Sequence, residues 1–425
     1  MNKRVVITGL GICAPNGVGL EEFTHALQNG ISGIRFQQEL ADLEFGCQIA
    51  GAPQLSEEII NNYFTPLQLR GLKASGILYG VIAGTDAWKD AGLAVENNEE
   101  PDWESGIIFG TGILGADKFR EAIHLIDAKK TRRLGSTTVM QIMASGISAY
   151  LGGMLGCGNQ VTTNSSACTT GTEGLLMAYE RIKAGKATRI LTGSCSDSGP
   201  YIWAGFDAMR ILPRKYNDNP TQASRPMSAT AAGFIPGSGA GALVLESLES
   251  ALARGAKIYA EVLGGAINSG GQRGEGTMTA PNSIAVQRCI QQAVIDANIA
   301  SKDIDCINGH LTATAKDSLE IQNWSKALNR SGMDFPLINS FKSTIGHCLA
   351  AAGSIECVAS ILQFKEQQFF GNKNCEELHE EIAQTISSSK VPQETIPHSP
   401  KILAKASFGF GDVNACAIFG AYNKS

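Results

Sequence analysis

Residues 164–182 read Asn164-Ser165-Ser166-Ala167-Cys168-Thr169-Thr170-Gly171-Thr172-Glu173-Gly174-Leu175-Leu176-Met177-Ala178-Tyr179-Glu180-Arg181-Ile182. The stretch predicts a helix with a cysteine at its start. A helix N-terminus leaves backbone N–H groups unpaired and carries the positive end of the dipole, and both favour a thiolate. The small residues around Cys168 leave room for a group attached to its sulfur.

Much of the rest of the chain can be read outward from this start. Asn339-Ser340 and Gly346-His347 lead into a second helical run, Cys348-Leu349-Ala350-Ala351-Ala352-Gly353-Ser354-Ile355-Glu356. Lys3-Arg4-Val5-Val6-Ile7-Thr8-Gly9-Leu10-Gly11 and Lys257-Ile258-Tyr259-Ala260-Glu261-Val262-Leu263-Gly264-Gly265 open the two halves in a similar way. Strand-like runs (Arg4–Gly9, Gly106–Gly110, Arg189–Gly193, Ala242–Glu246, Lys257–Leu263, Cys306–Asn308, Ala415–Phe419) are interleaved with helical ones (Glu21–Gln28, Ala74–Ala91, Thr172–Ala184, Ile284–Ala297, Asp317–Leu328, Ala350–Gln363). This is an α/β pattern. If the self-likeness is a duplication, a pseudo-two-fold axis brings both helix starts to one central site. The polar, proline-containing segment 383–401 reads as an exposed loop before the last strands.

Composition limits the function classes. The 425 residues are 43% hydrophobic with a formal net charge of −5, so a nucleic-acid footprint is excluded. The densest basic patch, Lys129-Lys130-Thr131-Arg132-Arg133, suits a solvated loop or a docking point for an acidic partner. The 11 cysteines show no metal-ligand spacing, and their odd number suits a reducing compartment. No apolar run approaches the ~18 residues of a membrane span. The N-terminal apolar stretch, broken by glycines and running into Pro15-Asn16-Gly17, reads as strand and turn rather than signal peptide. A cytoplasmic protein is expected.

Two histidines complete the chemistry. His310 follows a short strand in Asn308-Gly309-His310-Leu311-Thr312-Ala313-Thr314, and His347 stands at a helix start that disfavours its protonated form. Lys342 and Glu356 flank His347.

At this point the chain resembles the β-ketoacyl-acyl-carrier-protein synthases of the thiolase-like superfamily, the elongating type II enzymes above all. The motifs that carry the likeness are Ser166–Gly171, Asn217-Asp218-Asn219-Pro220 through Ala223-Ser224-Arg225-Pro226, Gly237-Ser238-Gly239-Ala240-Gly241, the HxTxT pattern at His310, Lys342-Ser343-Thr344-Ile345-Gly346-His347, and Phe408-Gly409-Phe410-Gly411. The resemblance implies two duplicated βαβαβαββ halves, 1–250 with the nucleophile and 251–425 with the histidines, in five layers α-β-α-β-α. It implies a decarboxylative Claisen condensation. Cys168 takes an acyl chain, His310 and His347 promote loss of carbon dioxide from a malonyl thioester, and the enolate extends the chain by two carbons. Lys342 and Glu356 are implied as a supporting ion pair. The backbone N–H groups of Cys168 and Phe410 are implied as an oxyanion hole, with Phe410 also a gate. Ile113 and Phe206 are implied to line an acyl tunnel, and Thr279, Thr312 and Thr314 to meet the pantetheine arm.

The implied partner is an acyl carrier protein bringing its own phosphopantetheine, with no bound cofactor and no metal. A dimer through the central sheet is implied, as homodimer or as heterodimer with a synthase-like subunit. Two rival readings are a CoA thiolase, which needs a second active cysteine in its C-terminal loop, and a non-catalytic chain-length-determining subunit. The sequence departs from the family pattern at Leu311, where a glycine is usual, at Asp412 and Val413 in place of glycine and threonine, and in a loop to Asp317 one residue shorter than usual. These departures favour a specialised enzyme of polyene or polyketide type.

Overall fold

The computed structural model describes residues 2–95 and 99–422. Ten strands form the main path of its large sheet: β1 (Val5–Ala14), β2 (Ser105–Thr111), β3 (Val161–Thr162), β4 (Arg189–Ser196), β5 (Gly239–Ser247), β6 (Ala260–Ser269), β7 (Cys306–Asn308), β8 (Leu337–Asn339), β9 (Ile402–Gly409) and β10 (Val413–Gly420). Their order is β8-β7-β9-β10-β6-β1-β5-β4-β2-β3, with Gly17–Val18 added as an eleventh strand beside β1. The order is mirrored about the β6–β1 seam. On each side the first three strands pair antiparallel, and the outer two run parallel to the third. The seam is short, with Val5, Val6 and Ile7 facing Val262, Glu261 and Ala260.

Helices α1 (Ser75–Asp90) and α2 (Gly146–Leu155) cover the outer face of the N-terminal strands, and α4 (Ser283–Asp296) and α5 (Asp317–Leu328) lie outside the C-terminal ones. Between the two sets of strands run α3 (Thr170–Lys183) and α6 (Ala352–Glu366). The five layers expected from the sequence are present, with one addition: the two sheets are continuous through the seam. Leu175, Leu176, Ile355, Val358, Ile361 and Leu362 are buried in the middle layer. Each such side chain contributes about 1.5–3 kcal/mol.

The starts of α3 and α6 touch. A β-carbon on Gly171 would meet the Ser354 nitrogen at 2.2 Å, and one on Gly353 would meet the Thr172 nitrogen at 2.6 Å. Each helix then bonds to the opposite half: Thr172 Oγ1 lies 2.9 Å from Ser407 Oγ on β9, and Ser354 Oγ lies 2.7 Å from Ser194 Oγ on β4.

The segment 383–401 differs from the expected open loop. It holds the end of helix Glu380–Thr385, a 3-10 turn at Ser388–Lys390 and the short strand Ile396–Pro397, and it buries Ile386 and Val391. β9 was not anticipated as a strand from the sequence, because Lys405 interrupts its apolar run.

Candidate active site

Cys168 sits in a 3-10 turn, Ala167–Thr169, that feeds directly into α3. Ala167 has φ 51°, a left-handed conformation that costs energy for any residue with a β-carbon. The bend leaves Cys168 partly exposed while Thr169 and Thr170 are buried. Gly409 crosses close above; a β-carbon there would stand 3.2 Å from the Cys168 nitrogen.

His310, at the end of β7, and His347, after the short helix Lys342–Ile345, converge on this sulfur. The Sγ of Cys168 and one ring nitrogen from each histidine all lie within 4.8 Å of one another. The imidazole rings meet edge to face, with centroids 5.4 Å apart.

Burial pushes the Cys168 thiol up to about 11. Lys342 and the backbone N–H groups of Phe410 and Cys168 pull the other way, but desolvation is the largest effect. The Cys168 N–H at the helix start thus acts in the expected direction, against a larger cost of burial. Both imidazoles are held well below their ordinary range, by burial first and then by the nearby lysines. His347 is shifted in the expected direction, with burial rather than the helix start as the main cause. Its Nδ1 accepts a hydrogen bond from the Leu349 N–H at 3.1 Å, so the ring proton is on Nε2. The Nδ1 of His310 is buried with no hydrogen-bond partner among the described residues.

Two carboxylates of α5 shape the His310 loop. Glu320 accepts from the N–H groups of His310 and Leu311 at 2.7 and 2.8 Å, and Asp317 from those of Thr312, Ala313 and Thr314 at 2.9–3.4 Å. Burial lifts Glu320 to about 7. Neither residue stood out in the sequence; the signal was their placement in the first turn of a helix following a loop with unpaired N–H groups.

Lys342 and Glu356 form the expected buried ion pair. A further lysine joins them: Lys405 Nζ lies 2.6 Å from the other oxygen of Glu356. The sequence reading missed Lys405.

Cys168 forms part of the wall of two cavities. The outer one, about 270 Å³, is lined by His310, His347, Thr279, Thr312, Thr314 and Phe408, among others. The inner one, about 120 Å³, is lined by Ile113, Ile202, Ala350 and Asp197, among others. Phe206, Leu349 and Phe410 border both. Every site residue named from the sequence is thus in one cavity or in the ion-pair row beneath, and Ile113 remains 56% exposed at the outer surface.

The departures fall differently. Leu311, at φ 22°, packs into the apolar core of the C-terminal half and lines neither cavity. Asp412, at φ 60°, is buried and accepts from the N–H groups of Gln272 and Asn282, tying the Phe410 loop to the loop that carries Thr279. Cys416 is fully buried in β10 and also lines neither cavity, which removes the second cysteine a thiolase requires.

Residues 2–251 match the beta-ketoacyl synthase N-terminal domain and residues 259–376 the corresponding C-terminal domain. The chain belongs to the β-ketoacyl synthase family. Among curated members, it is 33% identical to the chloroplastic 3-oxoacyl-[acyl-carrier-protein] synthase I of Arabidopsis thaliana, over 99% of this chain and 87% of that protein. Among solved synthases, it is similar to the ishigamide ketosynthase/chain length factor, with a TM-score of 0.88, 27% identity and full coverage of both chains. It is also similar to a type II PKS ketosynthase solved with its acyl-carrier protein and a bound hexaketide, with a TM-score of 0.86 and 27% identity over 99% of this chain and all of that one.

Proposed function

We propose that the protein is a 3-oxoacyl-acyl-carrier-protein synthase, an acyltransferase that joins a malonyl unit to an acyl chain held on Cys168. The observation that carries this reading is the convergence of one sulfur and two imidazoles where a larger cavity lined in part by three threonines meets a smaller, more apolar one.

The steps follow from the geometry. The carrier's pantetheine arm enters past Thr279, Thr312 and Thr314 and presents its thioester to Cys168. The thiol is protonated at neutral pH, so it loses its proton as it attacks. His347 already carries its proton on Nε2, so His310 is the acceptor, and it returns the proton to the departing pantetheine sulfur. The acyl chain then occupies the inner cavity beside Ile113 and Phe206. A malonyl thioester follows, and its C–C bond breaks to release carbon dioxide. The enolate oxygen that forms takes hydrogen bonds from the two imidazoles. The enolate carbon attacks the acyl thioester, whose oxyanion rests on the N–H groups of Cys168 and Phe410. Collapse expels the Cys168 sulfur, which regains a proton. The phosphopantetheine arrives on the carrier, and no bound cofactor or metal takes part.

The partner is an acyl carrier protein. The related ketosynthase solved with its carrier supports this partner, and the exposed basic run Lys129–Arg133 is proposed as its docking surface. A dimer is proposed through β3, whose outer edge has no partner strand among the described residues. The division of the chain near residue 250 belongs to the same reading. No helix among the described residues is long and apolar enough to cross a membrane, and a cytoplasmic site is proposed. For pathway, the full-length likeness to the ishigamide and type II PKS synthases supports a specialised polyene or polyketide role.

Intact-mass measurement after incubation with a panel of acylated carriers tests the reading. An acyl adduct on Cys168 and malonyl-dependent release of carbon dioxide are expected. No adduct from any carrier would leave the non-catalytic subunit as the better account. Greater turnover of saturated than of polyunsaturated chains would remove the polyene assignment alone.

A further inference from the structure

We propose that Lys405 is a positioning residue for the condensation: by sharing Glu356 with Lys342, it leaves one uncompensated positive charge beneath the two imidazoles. The proposal rests on the condensing activity proposed above.

Lys405 is fully buried on β9, three residues before Phe408, whose ring packs edge-on to His310 with centroids 6.3 Å apart. Its ammonium bonds Glu356 Oε2 at 2.6 Å, the Ala406 carbonyl at 2.6 Å and Ser407 Oγ at 3.0 Å. The first oxygen of Glu356 is taken by Lys342. Two ammonium groups therefore share one carboxylate, all three fully or almost fully buried.

The fold does not require this row. In the N-terminal half the matching strand position on β4 is Thr192 and the matching helix position on α3 is Gly174. Thr192 Oγ1 is buried there without a partner among the described residues, and no charge is present at either position. Lys342 alone would neutralise Glu356. A third buried ion adds a desolvation cost that one more hydrogen-bonded carboxylate oxygen does not obviously repay. What the extra ammonium does add is field. A positive charge near neutral imidazoles disfavours their protonation and favours an anion forming beside them. Lys342 and Lys405 both act in that direction on His310 and on His347.

The other ionisable groups around the rings are Cys168, Lys316 in the wall of the same cavity, Cys348 next to His347 in the chain and, beneath the His310 backbone, Glu320 with Asp317 in the same helix. The variants below leave all of these in place, so any titration of Glu320 is common to every profile.

The experiment compares malonyl-carrier decarboxylation across pH in the full-length protein, in Lys405→Met, and in Lys405→Met/Glu356→Gln. In Lys405→Met the row becomes neutral, and the acid limb of the profile is expected to rise by about one pH unit. In the double variant Lys342 again stands uncompensated, and the limb is expected to return toward the starting position. A role in packing alone cannot produce that return. Lys405→Gln makes the same charge change with a polar side chain, and it replaces Lys405→Met if the latter does not fold. An unmoved limb in the single variant, whatever its melting temperature, or a limb that fails to return in the double variant, overturns the proposal. Absence of carbon dioxide release by the unmodified protein would instead overturn the condensing activity itself.

Discussion

The starts of α3 and α6 have nearly the same backbone and different chemistry. Each is entered through a 3-10 turn whose first residue is left-handed, Ala167 at φ 51° and Leu349 at φ 52°. Each places a glycine against the other helix. Yet the position that holds Cys168 in the first half holds Ala350 in the second. The histidines come from the second half alone. The duplicated frame therefore supplies a bent, close-packed helix start twice, and single side chains distinguish the copy that carries the proposed nucleophile from the copy that does not.

The largest expected effect tests that division directly. Cys168→Ala should abolish the acyl adduct in intact-mass spectra and lower condensation by at least about a thousandfold. Adding Ala350→Cys to that variant should restore neither, because a sulfur there faces the inner cavity away from the imidazoles. Recovery of an adduct at position 350 would mean that the two starts are chemically equivalent.

A second test concerns the thiol. With Cys168 pushed up to about 11, its thiolate fraction rises with pH. Iodoacetamide labelling at this residue should accelerate by about a thousandfold between pH 7 and pH 10, without a plateau. A plateau near neutrality would show that the helix start, not burial, governs the sulfur. A smaller effect is expected at the other helix: His347→Ala should keep the acyl adduct on Cys168 while malonyl decarboxylation falls by about a hundredfold. Loss of the adduct would assign His347 to the first step instead.

The packing of the pair is open to the same kind of test. Gly171→Ala should destabilise the fold by about 2–3 kcal/mol in urea denaturation, since its β-carbon meets backbone that cannot move aside. Ser354→Ala should cost about 1 kcal/mol by removing the Ser194 hydroxyl's partner. Ser407→Ala should cost more, because it removes both the partner of Thr172 and an acceptor of the buried Lys405 ammonium.

The residues that the fold gathers around the sulfur were legible in the sequence because each is a distinctive type in a distinctive setting: a cysteine among small residues, and two histidines next to glycines. The long strands and most of the long helices were legible by periodicity. What escaped has physical reasons. β3 and β8 are two and three residues long, too short to show a period. β9 carries a lysine where an apolar residue was expected, so the strand and its function as a charge carrier were missed together. Glu320 and Asp317 act on backbone N–H groups of a loop three to ten residues away, and such bonds leave no mark on composition. The desolvation acting on the Cys168 thiol was not legible because the sequence displays the helix that follows it but not the walls packed around it.

The shared wall of the two cavities has a kinetic corollary. On the proposed mechanism, an acyl group on Cys168 would lie on one side of Phe410, which borders both cavities, and would leave the outer space free for the next thioester. Tenant and newcomer thus occupy separate rooms with the sulfur as their common door, and double-reciprocal plots against the two carriers should run parallel rather than intersect.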